Sequence, residues 1–200
     1  YYFDAVNQPN PLEHAAHAYS MAIRFEEHAL FDKALYKLGW TYYRMDAFDR
    51  AVDAFVRLVD FYDAKSAGAG EDLGGDLRAE ALQYMAVSLS DEQWGSIARA
   101  QELFARVGPR PWEPEVWRRI GEVYFDTTKF QDAVAAYKQN LAKDPFNKEA
   151  PQVQAKIVRA YEQGMRDFDN ASNERQLLVA SYAPGTEWYE RNKHDSEVIK

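Results

Sequence analysis

The apolar positions of this chain recur with helical spacing, and the helices they predict come in pairs. Between residues 32 and 63, Leu35, Leu38, Gly39 and Tyr42 fall on one helix face. After a break near Met45-Asp46-Ala47, Ala51 and Phe55 mark a second face. The same pattern returns over 114–146, with Trp117, Ile120, Gly121 and Tyr124, then Ala133 and Tyr137, and Pro145 closing the pair. Weaker copies surround these two. Ala15, Tyr19 and Ala22 predict a helix to about Phe25 within a partial repeat over 1–30, preceded by a helix end at 1–5 and the breaker-rich run Asn7-Gln8-Pro9-Asn10-Pro11. Leu82, Met85, Ala86 and Leu89, followed by Ala100, Phe104 and Val107, predict a degenerate pair over 77–110 with a lengthened turn at 90–95. Ile157, Val158 and Tyr161, followed by Leu177, Leu178 and Val179, predict another over 148–183. Pro184-Gly185 stops that pair, and Thr186 caps a terminal helix over 186–200 that carries Trp188 and Tyr189. Residues 64–76 hold four glycines and no apolar period, which predicts an inserted Gly-rich loop.

The two strong copies keep the offsets of W-x2-L-G-x2-Y followed by A-x3-F, with Leu35 at the W position of the first and Ile120 and Tyr137 at the L and F positions of the second, and in these residues the chain resembles the tetratricopeptide repeat (TPR) family. The resemblance implies an all-α fold, a right-handed α-solenoid of stacked TPR helix hairpins, running as one array over 1–200 with about ten helices. It assigns Gly39 and Gly121 to the close approach of two helix backbones, with the tyrosines and phenylalanines filling the space around them. TPR arrays hold other proteins and carry no chemistry of their own, and their first-type helices line a concave groove. Carried over residue by residue, that groove shows Lys33, Tyr36, Trp40, Tyr43 and Arg44 in the first strong repeat. In the second it shows Glu115, Arg118, Glu122, Phe125 and Asp126. The resemblance thus marks Lys33, Tyr36, Trp40, Tyr43, Arg44, Arg118 and Phe125 as partner-binding residues. The first patch is aromatic and basic, which suits an apolar or aromatic peptide. TPRs that grip a C-terminal carboxylate use small polar side chains where this chain has Tyr36 and Trp40.

Composition narrows the partners. With 24 Lys and Arg against 32 Asp and Glu the net charge is −8, which repels phosphate backbones and anionic lipid surfaces, so neither nucleic acid nor direct membrane insertion is expected. The absence of cysteine removes disulfides, thiolate nucleophiles and cysteine-based zinc sites. No apolar run approaches the ~20 residues that span a bilayer. Catalytic motifs are missing: there is no nucleophile elbow, HExxH, Walker or EF-hand pattern. The 64–76 glycines lack the Lys-Ser/Thr ending and the preceding strand of a phosphate loop. Glu13, His14 and His17 place two imidazoles on one helix face, but two further metal ligands are not evident, and a solvated pair is the reading. We therefore expect no catalytic residue, no metal and no cofactor.

The wording of 32–63 and 114–145 is also similar to TPR segments of bacterial envelope proteins. These include the outer-membrane-protein assembly lipoprotein (BamD-like), the Tol-Pal accessory protein and gliding-motility components. That resemblance implies a periplasmic, outer-membrane-associated scaffold in a multi-protein envelope complex. The alternatives are a cytosolic TPR adaptor and an accessory region of a larger enzyme. Tyr1 at the start and a helix-like end at Lys200 lead us to expect further sequence on either side.

Overall fold

The structure, a computed structural model, describes residues 10–69 and 75–195. They form ten α-helices and no strand: α1 (Pro11–Ala22), α2 (Phe31–Arg44), α3 (Phe48–Ala69), α4 (Gly75–Leu89), α5 (Ile97–Val107), α6 (Glu113–Asp126), α7 (Phe130–Lys143), α8 (Ala150–Arg159), α9 (Phe168–Tyr182) and α10 (Glu187–Asn192). The expected all-α fold of helix hairpins is what the chain adopts. It divides into two compact units, 1–95 and 96–200.

In the first unit α1 packs on α2, α2 on α3, and α3 on α4. The inward face of α2 is Phe31, Leu35, Leu38 and Tyr42, and that of α3 is Ala51, Phe55, Leu58 and Tyr62, all buried. Val52 and Val59 widen the α3 stripe, as a helix covered from two sides requires. Gly39 lies where the helices meet: a Cβ there would come within 2.6 Å of the Phe55 ring. Its counterpart Gly121 meets Tyr137 at 2.5 Å in the same sense.

The second unit holds the α6–α7 and α8–α9 hairpins, with α5 against α7 and α10 against α9. Ala100, Leu103 and Phe104 of α5 are buried, and Phe104 packs on Trp112 and Trp117 with ring centroids 5.9 and 5.2 Å apart. The three hairpin turns share one device. In the first, Asp46 takes a left-handed backbone (φ 55°) and Ala47 N–H donates to Tyr42 O at 3.0 Å. In the second, Thr128 (φ 62°) and Lys129 N–H to Tyr124 O (2.8 Å) repeat it. In the third, Arg166 (φ 55°) and Asp167 N–H to Tyr161 O (2.8 Å) do the same with one residue more. The extra residue is absorbed by a π-helical turn at Ala160–Gly164, where Met165 N–H reaches back to Ala160 O. Phe48, Phe130 and Phe168 then open the second helix of each hairpin alike.

Several expected boundaries are corrected. The 64–76 loop is helical over 64–69, because Ala64, Lys65 and Ala67 are good helix formers that simply continue α3. Gly75 and Asp76 begin α4, and residues 70–74 lie outside the described residues. The 77–110 pair is divided, α4 in the first unit and α5 in the second. Helix α1 ends at Ala22 and not near Phe25, and successive turns at Phe25, His28 and Phe31 carry the chain into α2. The terminal helix stops at Asn192, whose side-chain amide turns back to Phe146 O and Trp188 O, both at 3.0 Å. The expected helix end at 1–5 and the stretch 196–200 lie outside the described residues.

Candidate functional site

The helical repeat of α2 puts Tyr36, Trp40 and Tyr43 on one side, where α4 supplies Tyr84 and Glu80. The Trp40 ring lies 4.7 Å from Tyr84 and 5.9 Å from Tyr43, and Tyr43 lies 5.2 Å from Tyr84 and 5.6 Å from Phe48. A polar relay fixes the indole: Trp40 Nε1–H donates to Tyr36 Oη at 2.7 Å, and Tyr36 Oη donates to the Glu80 carboxylate. Burial, then the acceptor on Glu80, pushes the Tyr36 phenol up to about 12, so it remains a neutral donor through the physiological range.

On the α1 side of these rings a cleft of about 460 Å³ opens. Tyr36 and Trp40 form its aromatic wall, Leu12 and Tyr19 of α1 face them, and Lys37 and Arg44 bring positive charge. All of these side chains are half-buried or exposed. Of the five α2 residues expected to bind a partner, Tyr36, Trp40 and Arg44 line the cleft. Tyr43 stands behind Trp40 in the ring cluster, and Lys33 is exposed outside the lining. Sequence reasoning missed Leu12 and Tyr19 because it took one helix at a time, and Lys37 and Thr41 because the groove positions carried over from the family leave them out. The signal present was the stripe Lys33, Lys37, Arg44, which follows the aromatic face by a fraction of a turn.

The second unit builds the same positions differently. Setting Gly39 on Gly121 places Tyr36 on Arg118, Trp40 on Glu122 and Tyr43 on Phe125. Arg118 pairs with Glu122 at 2.7 Å and with Glu149 at 3.5 Å, and Lys156 of α8 also reaches Glu122 at 2.8 Å. Burial would raise the Glu122 carboxyl, but the hydrogen bond from Lys156 and the charge of Arg118 hold it below its ordinary value. Phe125 packs edge-on against Phe130 at 5.3 Å beneath the Arg159 guanidinium. An aromatic face in one unit is thus an ion cluster in the other.

His14 and His17 are exposed, and no group of three His, Cys, Asp or Glu able to hold a metal ion occurs among the described residues. No helix among them is long and apolar enough to cross a membrane. The chemistry this arrangement offers is recognition: aromatic faces, two cations and an open cleft.

Residues 33–63 match the family model of the tetratricopeptide repeat. No curated protein is significantly similar to the chain. Among solved structures it is similar to the MamA protein, at 21% identity over 92% of this chain and 86% of that one, with a TM-score of 0.41. It is also similar to a kinesin light chain-like protein of nearly identical TPR-like repeats from Podospora anserina, at 15% identity over 86% and 85% of the two chains, with a TM-score of 0.40. The family match falls on the hairpin of α2 with α3, whose Gly39–Phe55 close approach is consistent with that likeness.

Proposed function

We propose that this chain is a non-catalytic scaffold that seats a segment of a partner protein in the cleft between α1 and α2, and that it works in a bacterial cell envelope. The observation that carries the binding reading is the Glu80–Tyr36–Trp40 relay, which holds an indole on the wall of an open cleft beside Lys37 and Arg44. A pre-oriented Trp flanked by cations binds without first losing rotamer freedom, which is why Trp and Arg dominate interface energetics. Tyr43 and Tyr84 stiffen it from behind. Trp40→Ala, with helicity and melting checked, is expected to weaken the partner by about 2 kcal/mol or more. Lys37→Glu on the rim is expected to lower the association rate and its salt dependence. Unchanged affinity in both variants would remove the cleft from consideration.

The envelope assignment, periplasmic and outer-membrane-associated within a multi-protein complex, is supported by the similarity of 32–63 and 114–145 to the wording of envelope TPR segments. Cell fractionation of the native gene product tests it. Recovery from the periplasm or with outer membranes is expected, whereas a wholly cytosolic pool would favour an adaptor, and an attached catalytic domain an enzyme accessory.

A further inference from the structure

The two glycine-centred hairpins diverge at one pair of positions in a way that packing alone does not require. In the first unit, Phe31 at the start of α2 meets Phe61 near the end of the facing stretch of α3, ring centroids 5.0 Å apart. With Gly39 set on Gly121, the equivalent residues of the second unit are Glu113 and Lys143. Their side chains pair at 2.8 Å, with Glu113 only 5% exposed and Lys143 45% exposed. Trp117 Nε1–H points at the same carboxylate from 3.4 Å. An apolar pair therefore serves to tie the hairpin in one unit, and a buried carboxylate, costly to desolvate, stands in its place in the other.

Beside the Glu113–Lys143 pair a cleft of about 350 Å³ opens. Phe104 and Trp117 line it with apolar surface, Gln101 and Gln139 with amides, and Glu113 and Lys143 with opposite charges. A cation entering here meets a carboxylate already withdrawn from water, and the Lys143 ammonium, half in solvent on a flexible stem, can give way to it. A guanidinium fits this set better than an ammonium. Its five N–H donors match the carboxylate and the two amide oxygens, and its flat face suits the aromatic wall. The net charge of −8 favours the approach of a basic partner.

We propose that the cleft bounded by α5, α6 and α7 receives an arginine side chain of a partner protein, with Glu113 as its counter-ion and Lys143 as the internal group it displaces. The test uses the whole chain, with N-acetyl-arginine amide as the probe and the neutral isostere N-acetyl-citrulline amide as the control, followed through the indole N–H resonance of Trp117. A saturable shift is expected with the arginine probe and none with citrulline. Lys143→Met, which removes the internal competitor, is expected to tighten binding several-fold. The exchange Glu113→Phe with Lys143→Phe restores the first unit's plug, so the protein should stay folded while binding falls by roughly ten-fold or more. Glu113→Gln, which keeps the volume, should lose the probe to a similar degree should the double exchange prove unstable. Equal shifts from arginine and citrulline, a shift that never saturates, or binding that survives Glu113→Gln would each overturn the proposal and leave Glu113–Lys143 as a clasp of the hairpin.

Discussion

Phe55 lies so close to Gly39 that a single methyl at that position forces the ring aside. Gly39→Ala is therefore expected to cost about 1–3 kcal/mol by overpacking, measured by urea unfolding, and Phe55→Leu in the same chain should recover part of that cost. Strict additivity of the two changes would contradict the close approach. The packing roles of Gly39 and Gly121 were legible through the resemblance to the repeat pattern, and the Phe55 and Tyr137 rings meet them as it implies. Gly164, where a Cβ would run into the Phe130 ring, was not, because the π-helical turn shifts it by one residue from any helical period. Tyrosine also sets the alkaline limit. Burial and the Glu80 acceptor raise Tyr36 to about 12, and burial raises Tyr62 and Tyr137 as well. The unfolded chain ionises these phenols near 10 while the fold still holds their protons. Their contribution is thus complete below about pH 10 and is lost as pH rises through the folded values. Melting temperature should fall steeply there, and less so in Tyr36→Phe. At the acid end Glu122 works in the opposite direction: its stabilising effect is present above the ordinary glutamate range and disappears as pH falls through its lowered value.

Among the helices, α3 and α9 depart furthest from what the spacing alone suggests. Four glycines between 64 and 76 read as a loop, yet an isolated Gly68 with open space around it costs a helix only about 1 kcal/mol, and its alanine neighbours offset that. Ala64→Pro separates the two readings. An interior helical position should lose about 3 kcal/mol or more, seen as a drop in the urea midpoint and in amide protection of the preceding turn, whereas a loop would tolerate it. The α8–α9 pair reads from the sequence only as a degenerate repeat, neither half matching the repeat pattern closely. Aligned on its turn, Phe168-Asp169-Asn170-Ala171 matches Phe48-Asp49-Arg50-Ala51, and Ala51, Ala133 and Ala171 are all fully buried. The inserted residue hid this from any fixed-period reading. Arg175 then stands where Phe55 and Tyr137 fill the other hairpins, paired with Glu162 at 2.5 Å.

Over the whole molecule, the fold class followed from the glycine-centred hairpins, but the division at residues 95 and 96 did not. The turn after α4 looked like a lengthened link within one hairpin. It is instead a compact structure of the first unit: Asp91 Oδ1 accepts the N–H groups of Gln93 and Trp94, and Trp94 packs on Phe48 at 5.8 Å. Ser96 then caps α5 through Arg99 N–H at 3.1 Å, and the buried face of that helix belongs to the second unit. The candidate site was half legible for a related reason. Tyr36, Trp40 and Arg44 could be placed from the helical repeat, whereas the α1 wall depends on how neighbouring helices pack. Whether a partner occupies the α1–α2 cleft is decided by site-specific photocrosslinking in cells, with the reactive side chain placed at Lys37 or Arg44 of the cleft and, for comparison, at the exposed Asp53 of α3. One partner protein crosslinked from Lys37 and Arg44, lost on Trp40→Ala and absent from Asp53, is expected. Crosslinks from Asp53 that persist in Trp40→Ala, with none from Lys37 or Arg44, would remove the cleft as the docking site.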